Sequence, residues 1–256
     1  MKKIITIVFI LSTIISGYAQ TAYVVSADDF TVTVINVPND SVTAIIPLPY
    51  DPTSIGVSVS ADGTKVYVSN YANNTVSVIN TATNTIIANV VIAADQPWGI
   101  VASPDGSRVY VVDYYGYSVS VINTAINAVY VTIDVGNRPE GIAISPDGNY
   151  VYVTNSSDNT VDVITTSVNY VTSIIQVGNY PDGLTVSPDG SKVYVANSGD
   201  STVYVINTAT NLVTDTIDKY KLHYSGWIYQ WLIELNCLLF FDKLLSLKHP
   251  KFANHN

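Results

Sequence analysis

Short runs of Val, Ile, Thr and Tyr recur along the chain about ten residues apart, each bounded by clusters of Gly, Pro, Asn or Asp. Such runs predict β-strands rather than helices, because β-branched and aromatic side chains suit a pleated surface. Within a run both faces are largely apolar, as at Val66, Tyr67 and Val68, so the predicted sheets are covered on both sides. The grouping of strands follows from self-similarity. The quartets SADG at Ser60 to Gly63 and SPDG at Ser103 to Gly106, Ser145 to Gly148 and Ser187 to Gly190 recur at spacings of 43, 42 and 42 residues. Each leads to a Tyr flanked by valines (Tyr67, Tyr110, Tyr152, Tyr194), a polar loop, a run such as Thr75 to Asn80, a turn such as TATN, and a further β-rich run. A Pro-containing loop then opens the next unit. Four strands per unit of this length predict an all-β β-propeller, whose four-stranded blades pack around an axis and cover one another. A sandwich or a solenoid is the alternative.

The quartet itself reads as a turn. Pro104 presets φ at the second position, Asp105 bonds its local backbone, and Gly106 takes a positive φ. The aspartates Asp62, Asp105, Asp147 and Asp189 are therefore expected to be turn formers, not catalysts or metal ligands.

Both ends depart from the repeat. Met1, Lys2 and Lys3 precede an apolar run from Ile4 to Ile15, and Gly17 and Ala19 stand where a signal peptidase reads small residues. Residues 1–19 are expected to be a cleaved secretory signal, since the run is short of the ~20 residues a spanning helix needs. No cysteine follows the expected cut, which excludes a lipoprotein anchor. The segment from about Ala22 to Leu48 supplies the second, third and fourth strands of a blade without an innermost one. Residues 20–218 are thus expected to form four whole blades plus a three-strand partial blade, in an incomplete ring with open sheet edges that invite self-association.

Residues 219–256 hold eight of the twelve leucines, five of the eleven Lys and Arg, all three His and the single Cys, but no valine. This non-repeat tail is read either as the frame-shifted end of a longer propeller gene or as a helical cap. Glu234, Asp242 and Lys243 interrupt any spanning segment in it, so no stable membrane span is expected.

Composition narrows the chemistry. A formal net charge of −9 repels phosphate backbones, so nucleic acid is not an expected partner. With every His and the only Cys, Cys237, beyond residue 218, the repeats hold no material for Ser–His, Cys–His or His-ligated metal chemistry. No catalytic residue is assigned.

The strings YVSN, YVVD, YVTN and YVAN beginning at Tyr67, Tyr110, Tyr152 and Tyr194, with SPDG upstream and VxVINTAT-like runs downstream, resemble the YVTN-family β-propeller repeats of archaeal and bacterial surface-layer-like proteins. The resemblance covers roughly residues 21 to 218 and implies a secreted, periplasmic or cell-surface propeller. The same superfamily is similar in fold to the haem d1 propeller of nitrite reductases, to quinoprotein amine dehydrogenases and to propeller lactonases, so fold alone does not choose a function.

Binding is expected where the copies differ. The loops entering the innermost strands and the loops between second and third strands share one face of a propeller, and they vary while strands and SPDG turns hardly change. On that face Trp98, Tyr114, Tyr115, Arg138, Glu140, Tyr180 and Asp182 are the expected ligand-binding residues. Aromatic rings beside amides and carboxylates suit a carbohydrate, a peptide or a protein surface, and clustered carboxylates suit a hard cation such as calcium; no other cofactor is expected. The leading expectation is a non-enzymatic binding or scaffold protein. A metal-dependent propeller hydrolase of the lactonase kind is the rival, and a truncated, non-functional fragment the third reading.

Overall fold

The computed structural model of the protein describes residues 5–10, 21–26, 29–49, 54–93 and 95–218. Its five sheets each hold four strands in chain order, joined by antiparallel pairing. Blade I comprises β1 (Ile5–Ile10), β2 (Thr21–Ser26), β3 (Thr31–Asn36) and β4 (Ser41–Pro47); blade II comprises β5 (Ser54–Val59), β6 (Lys65–Asn70), β7 (Thr75–Asn80) and β8 (Thr85–Val91). Blade III is β9 (Pro97–Ala102), β10 (Arg108–Asp113), β11 (Ser118–Asn123) and β12 (Ala128–Asp134). Blade IV is β13 (Pro139–Ile144), β14 (Tyr150–Asn155), β15 (Thr160–Thr165) and β16 (Tyr170–Gln176), and blade V is β17 (Pro181–Val186), β18 (Lys192–Asn197), β19 (Thr202–Asn207) and β20 (Leu212–Asp218). The first strands of successive blades are neighbours, β1 beside β5, β5 beside β9, β9 beside β13 and β13 beside β17. The fold is thus a β-propeller.

Each blade-to-blade interface repeats one recipe. The second-strand Tyr and alternate valines of one blade face the opposite-parity valines of the next: Tyr67, Val76, Val78 and Val90 of blade II pack on Val109, Val111 and Ile122 of blade III. Tyr110 with Val119 and Val121 likewise meets Val151, Val153 and Ile164, and Tyr152 with Val161 and Val163 meets Val193, Val195 and Ile206. Period-2 alternation therefore sends successive side chains of one strand into two different cores, which is why the runs look apolar throughout.

The SPDG turns form as their residues require. Asp105 accepts bonds from the Ser103 hydroxyl and from the backbone N–H of Ser107, the Gly106 N–H donates to the Ser103 carbonyl at 2.9 Å, and Gly106 has φ 72°. These bonds hold the Asp62, Asp105, Asp147 and Asp189 carboxyls below the usual range, with Asp189 at about 2.

One strand departs from the sequence expectation. Blade I is not a three-strand partial blade, because β1 pairs along all of β2, from Ile5 opposite Ser26 to Ile10 opposite Thr21. The run ITIVFI lies within the segment read as a secretory signal, and its β-branched composition is equally suited to filling an unpaired strand edge. Among the described residues no contact of similar extent joins blade V to blade I, so the blades make an open arc. The tail after residue 218, with its expected helix, lies outside the described residues, and among those no helix is long and apolar enough to cross a membrane.

Candidate functional site

The entering ends of the innermost strands β5, β9, β13 and β17 each carry a bulge. Pro139 pairs with Asn155 and Ile142 with Val153, so Glu140 and Gly141 together oppose Thr154 alone. Trp98 and Gly99 stand in the same relation in blade III, and Asp182 and Gly183 in blade V. A two-against-one bulge re-aims the extra side chain, and the residue it frees is the one that differs between copies. Glycine follows it because the next blade leaves no space. A Cβ on Gly99 would lie 2.5 Å from the Glu140 carbonyl oxygen, and one on Gly141 would strike the Asp182 carbonyl oxygen. Side-chain hydroxyls reinforce the approach: Ser69 donates to the Trp98 carbonyl at 2.6 Å and Thr154 to the Asp182 carbonyl at 2.8 Å.

The loops behind these residues are sewn together by backbone. Gln96, Arg138 and Tyr180, each just before a proline, have φ of 62°, 50° and 50°. That conformation turns their carbonyls toward the neighbouring loop, where they accept from the N–H groups of Tyr114, Ser156 and Ser198. Asp158 and Asp200 accept the N–H groups of Asn137 and Asn179, so these loop carboxylates act in architecture.

On this frame an aromatic group assembles. Trp98 stacks on Tyr114, with centroids 5.2 Å apart and planes at 26°; Tyr71 meets Trp98 edge-on at 5.6 Å, and Tyr115 meets Tyr114 edge-on at 4.8 Å. Burial, with the neighbouring phenols of Tyr115 and Tyr114, raises the Tyr71 hydroxyl. Tyr114 is raised by burial and by the nearby Glu140, while Arg138 pulls it down.

Beside Tyr114 lies a carboxyl pair. Burial pushes the Glu140 carboxyl well above its usual range, and its hydrogen bond with Asp182 adds to that shift, whereas Ser156 and Arg138 oppose it. Asp182 Oδ2 is buried and receives no bond from any N–H or hydroxyl donor. The two observations agree if Glu140 keeps its proton and donates it to Asp182, as two close carboxyls in a desolvated place do.

Of the expected residues, Trp98, Tyr114, Tyr115, Glu140 and Asp182 therefore come together, with Arg138 close by. Tyr180 is exposed and has no ring partner among the described residues; its backbone, held by Asn159 at 2.9 Å, shapes the loop. Tyr71 belongs to the cluster although sequence reasoning did not select it; its place at the start of the loop after β6, one blade away from Trp98, was the available signal. No set of three or more His, Cys, Asp or Glu is grouped to hold a metal among the described residues. Glu140 and Asp182 are the carboxyls that lie beside the aromatic group.

A family model described as "Lactonase, 7-bladed beta-propeller" matches residues 124–229. Among solved structures the chain is similar to hydrazine synthase from Kuenenia stuttgartiensis, at 17% identity and a TM-score of 0.58, covering 77% of this chain and 83% of that one. It is also similar to a functionally unknown protein from Desulfotomaculum acetoxidans DSM 771, at 22% identity and a TM-score of 0.68, covering 81% of this chain and 69% of that one. No curated protein matches the sequence. At these identities the solved structures speak to fold alone, and together with the family model they place the chain among the β-propellers.

Proposed function

We propose that the chain is an exported or cell-surface β-propeller that binds a carbohydrate on its loop face. The observation that carries this reading is the stack of Trp98 on Tyr114 directly beside the Glu140–Asp182 pair. An indole and phenols offer flat apolar faces to the C–H side of a sugar ring. The two neighbouring carboxyls offer polar partners to vicinal hydroxyls, and burial favours the uncharged form of Glu140. Titration of the protein with a panel of soluble glycans tests it. Trp98→Ala is expected to weaken capture at least tenfold under conditions where circular dichroism shows the variant folded, since Trp98 also packs on the core between blades III and IV; binding undiminished by Trp98→Ala removes the reading.

A second reading, a hydrolase, rests on the match of residues 124–229 to the lactonase propeller model. An equilibrium metal assay followed by an ester and lactone hydrolysis screen separates the two. Stoichiometric metal with turnover favours the hydrolase.

Export bears on β1. Cleavage near Gln20 would take Ile5–Ile10 away and free the edge of β2, whereas retention keeps blade I whole. N-terminal sequencing of secreted and cell-associated protein decides between them, and a new terminus near Gln20 on the secreted form is the expected result.

A further inference from the structure

The last blade carries an uncovered face. In blades II, III and IV the second-strand tyrosines Tyr67, Tyr110 and Tyr152 are each 1% exposed, because the next blade lies over them. Their counterpart in blade V, Tyr194, is only half-buried. The same contrast runs across the sheet: Val76, Val119 and Val161 are buried but Val203 is not, and Val90, Ile133 and Ile175 are buried but Ile217 is not. Below the blades, Lys65 donates to the Thr124 carbonyl of the following blade at 3.0 Å and Arg108 to the Thr166 carbonyl at 2.9 Å. Lys192, at the matching position of blade V, is exposed and makes no such bond among the described residues. Blade V is therefore built like the others to receive a neighbour, and no described residue fills that place.

We infer that residues 219–256 of the same chain cover this face. They continue directly from β20, the outermost strand of the uncovered blade, so their docking is intramolecular and the loop to be closed is short. Their 38 residues are close to the length of one repeat. The stretch from Trp227 to Leu247 brings Trp227, Trp231, Leu235, Leu238, Phe240 and Leu244, apolar surface of the kind a Tyr–Val–Ile face needs. Charge matches as well: residues 1–218 hold six basic and 18 acidic residues, while 219–256 hold five basic and two acidic. A second copy of the chain is the less favoured occupant, since another five-blade arc is larger than the gap left in a ring of the usual four to eight blades.

A photoreactive phenylalanine analogue placed at Val203 in the full-length chain tests the inference. After irradiation at low micromolar concentration, peptide mapping is expected to place the cross-link within residues 219–256 on species of monomer mass. Thiol labelling of unmodified protein gives a second reading, with Cys237 expected to react at least tenfold more slowly than in the urea-unfolded chain. Cross-links on dimer-mass species, above all to β2 or β3, overturn the inference in favour of a second copy. A Val203 probe that joins nothing beyond blade V, with Cys237 freely reactive, overturns it in favour of an open face.

Discussion

A methyl group added at Gly99 would meet the Glu140 carbonyl oxygen of the adjoining blade, while one added at Gly106 would meet nothing within 4 Å. The two positions thus need glycine for different reasons. Gly99→Ala forces two innermost strands apart and is expected to cost about 1–3 kcal/mol, an overpacking effect. Gly106→Ala has space but must hold φ 72°, at about 1 kcal/mol. Urea midpoints of the two variants check the order. Asp113 makes a second residue-scale case. It is 0% exposed, its Oδ2 accepts from Ser118 and Ser120, and its Oδ1 has no donor. Desolvation by burial raises its carboxyl to about 7. The folded protein therefore keeps a proton that the unfolded chain releases near pH 4, so stability falls as pH rises from about 4 to about 7 and is level beyond. The matching residues Asn70, Asn155 and Asn197 are amides that donate to a nearby Thr. Asp113→Asn is expected to remove this slope and to stabilise the protein at pH 8 by about 1–3 kcal/mol, read from unfolding curves at pH 5 and pH 8. The SPDG carboxyls act in the opposite sense at lower pH, because their lowered values lend stability that is lost as the solution is acidified below about pH 4.

Strands and turns differ in how much of them a reader of the sequence can see. The SPDG turn is local, with its bonds closing within five residues, so Asp105 and Gly106 announce their roles in the primary structure. The strand phases were equally plain, since every Tyr-and-Val run repeats the same register. The need for Gly56, Gly99 and Gly141 after their bulges was not, because the obstacle to each is a carbonyl about 40 residues away on the next blade. Strand β1 was hidden for another reason: an apolar run at the start of a chain satisfies a targeting pattern and a strand edge alike. In the site, the variable loops pointed to Trp98, Tyr114, Glu140 and Asp182, but only the bulge register brings Trp98 over Tyr114 and Glu140 against Asp182. Element-scale behaviour follows from β1. A chain beginning at Gln20 is expected to exchange the outward amides of β2 at least a hundredfold faster than the full-length chain, with β14 unchanged, by hydrogen exchange and mass spectrometry.

At the scale of the molecule, each core among the described residues is shared by two successive blades, and the same Tyr-side and Val-side surfaces meet at every joint. Stability in such an arc is close to a sum of unit and joint contributions, and the end blades, each sharing a core with one other blade, open first. A destabilising change in blade III, such as Val111→Ala, is expected to lower the single unfolding midpoint of the whole arc. Val195→Ala in blade V is expected instead to produce an early partial transition, seen as the loss of one blade's worth of exchange-protected amides. Because every joint is interchangeable, one whole repeat excised or inserted between Ser103 and Ser145 would leave matched surfaces on both sides. Slippage during replication of so repetitive a gene would accordingly generate longer and shorter arcs that still fold, and blade number becomes a heritable variable that natural selection can tune without redesigning any contact.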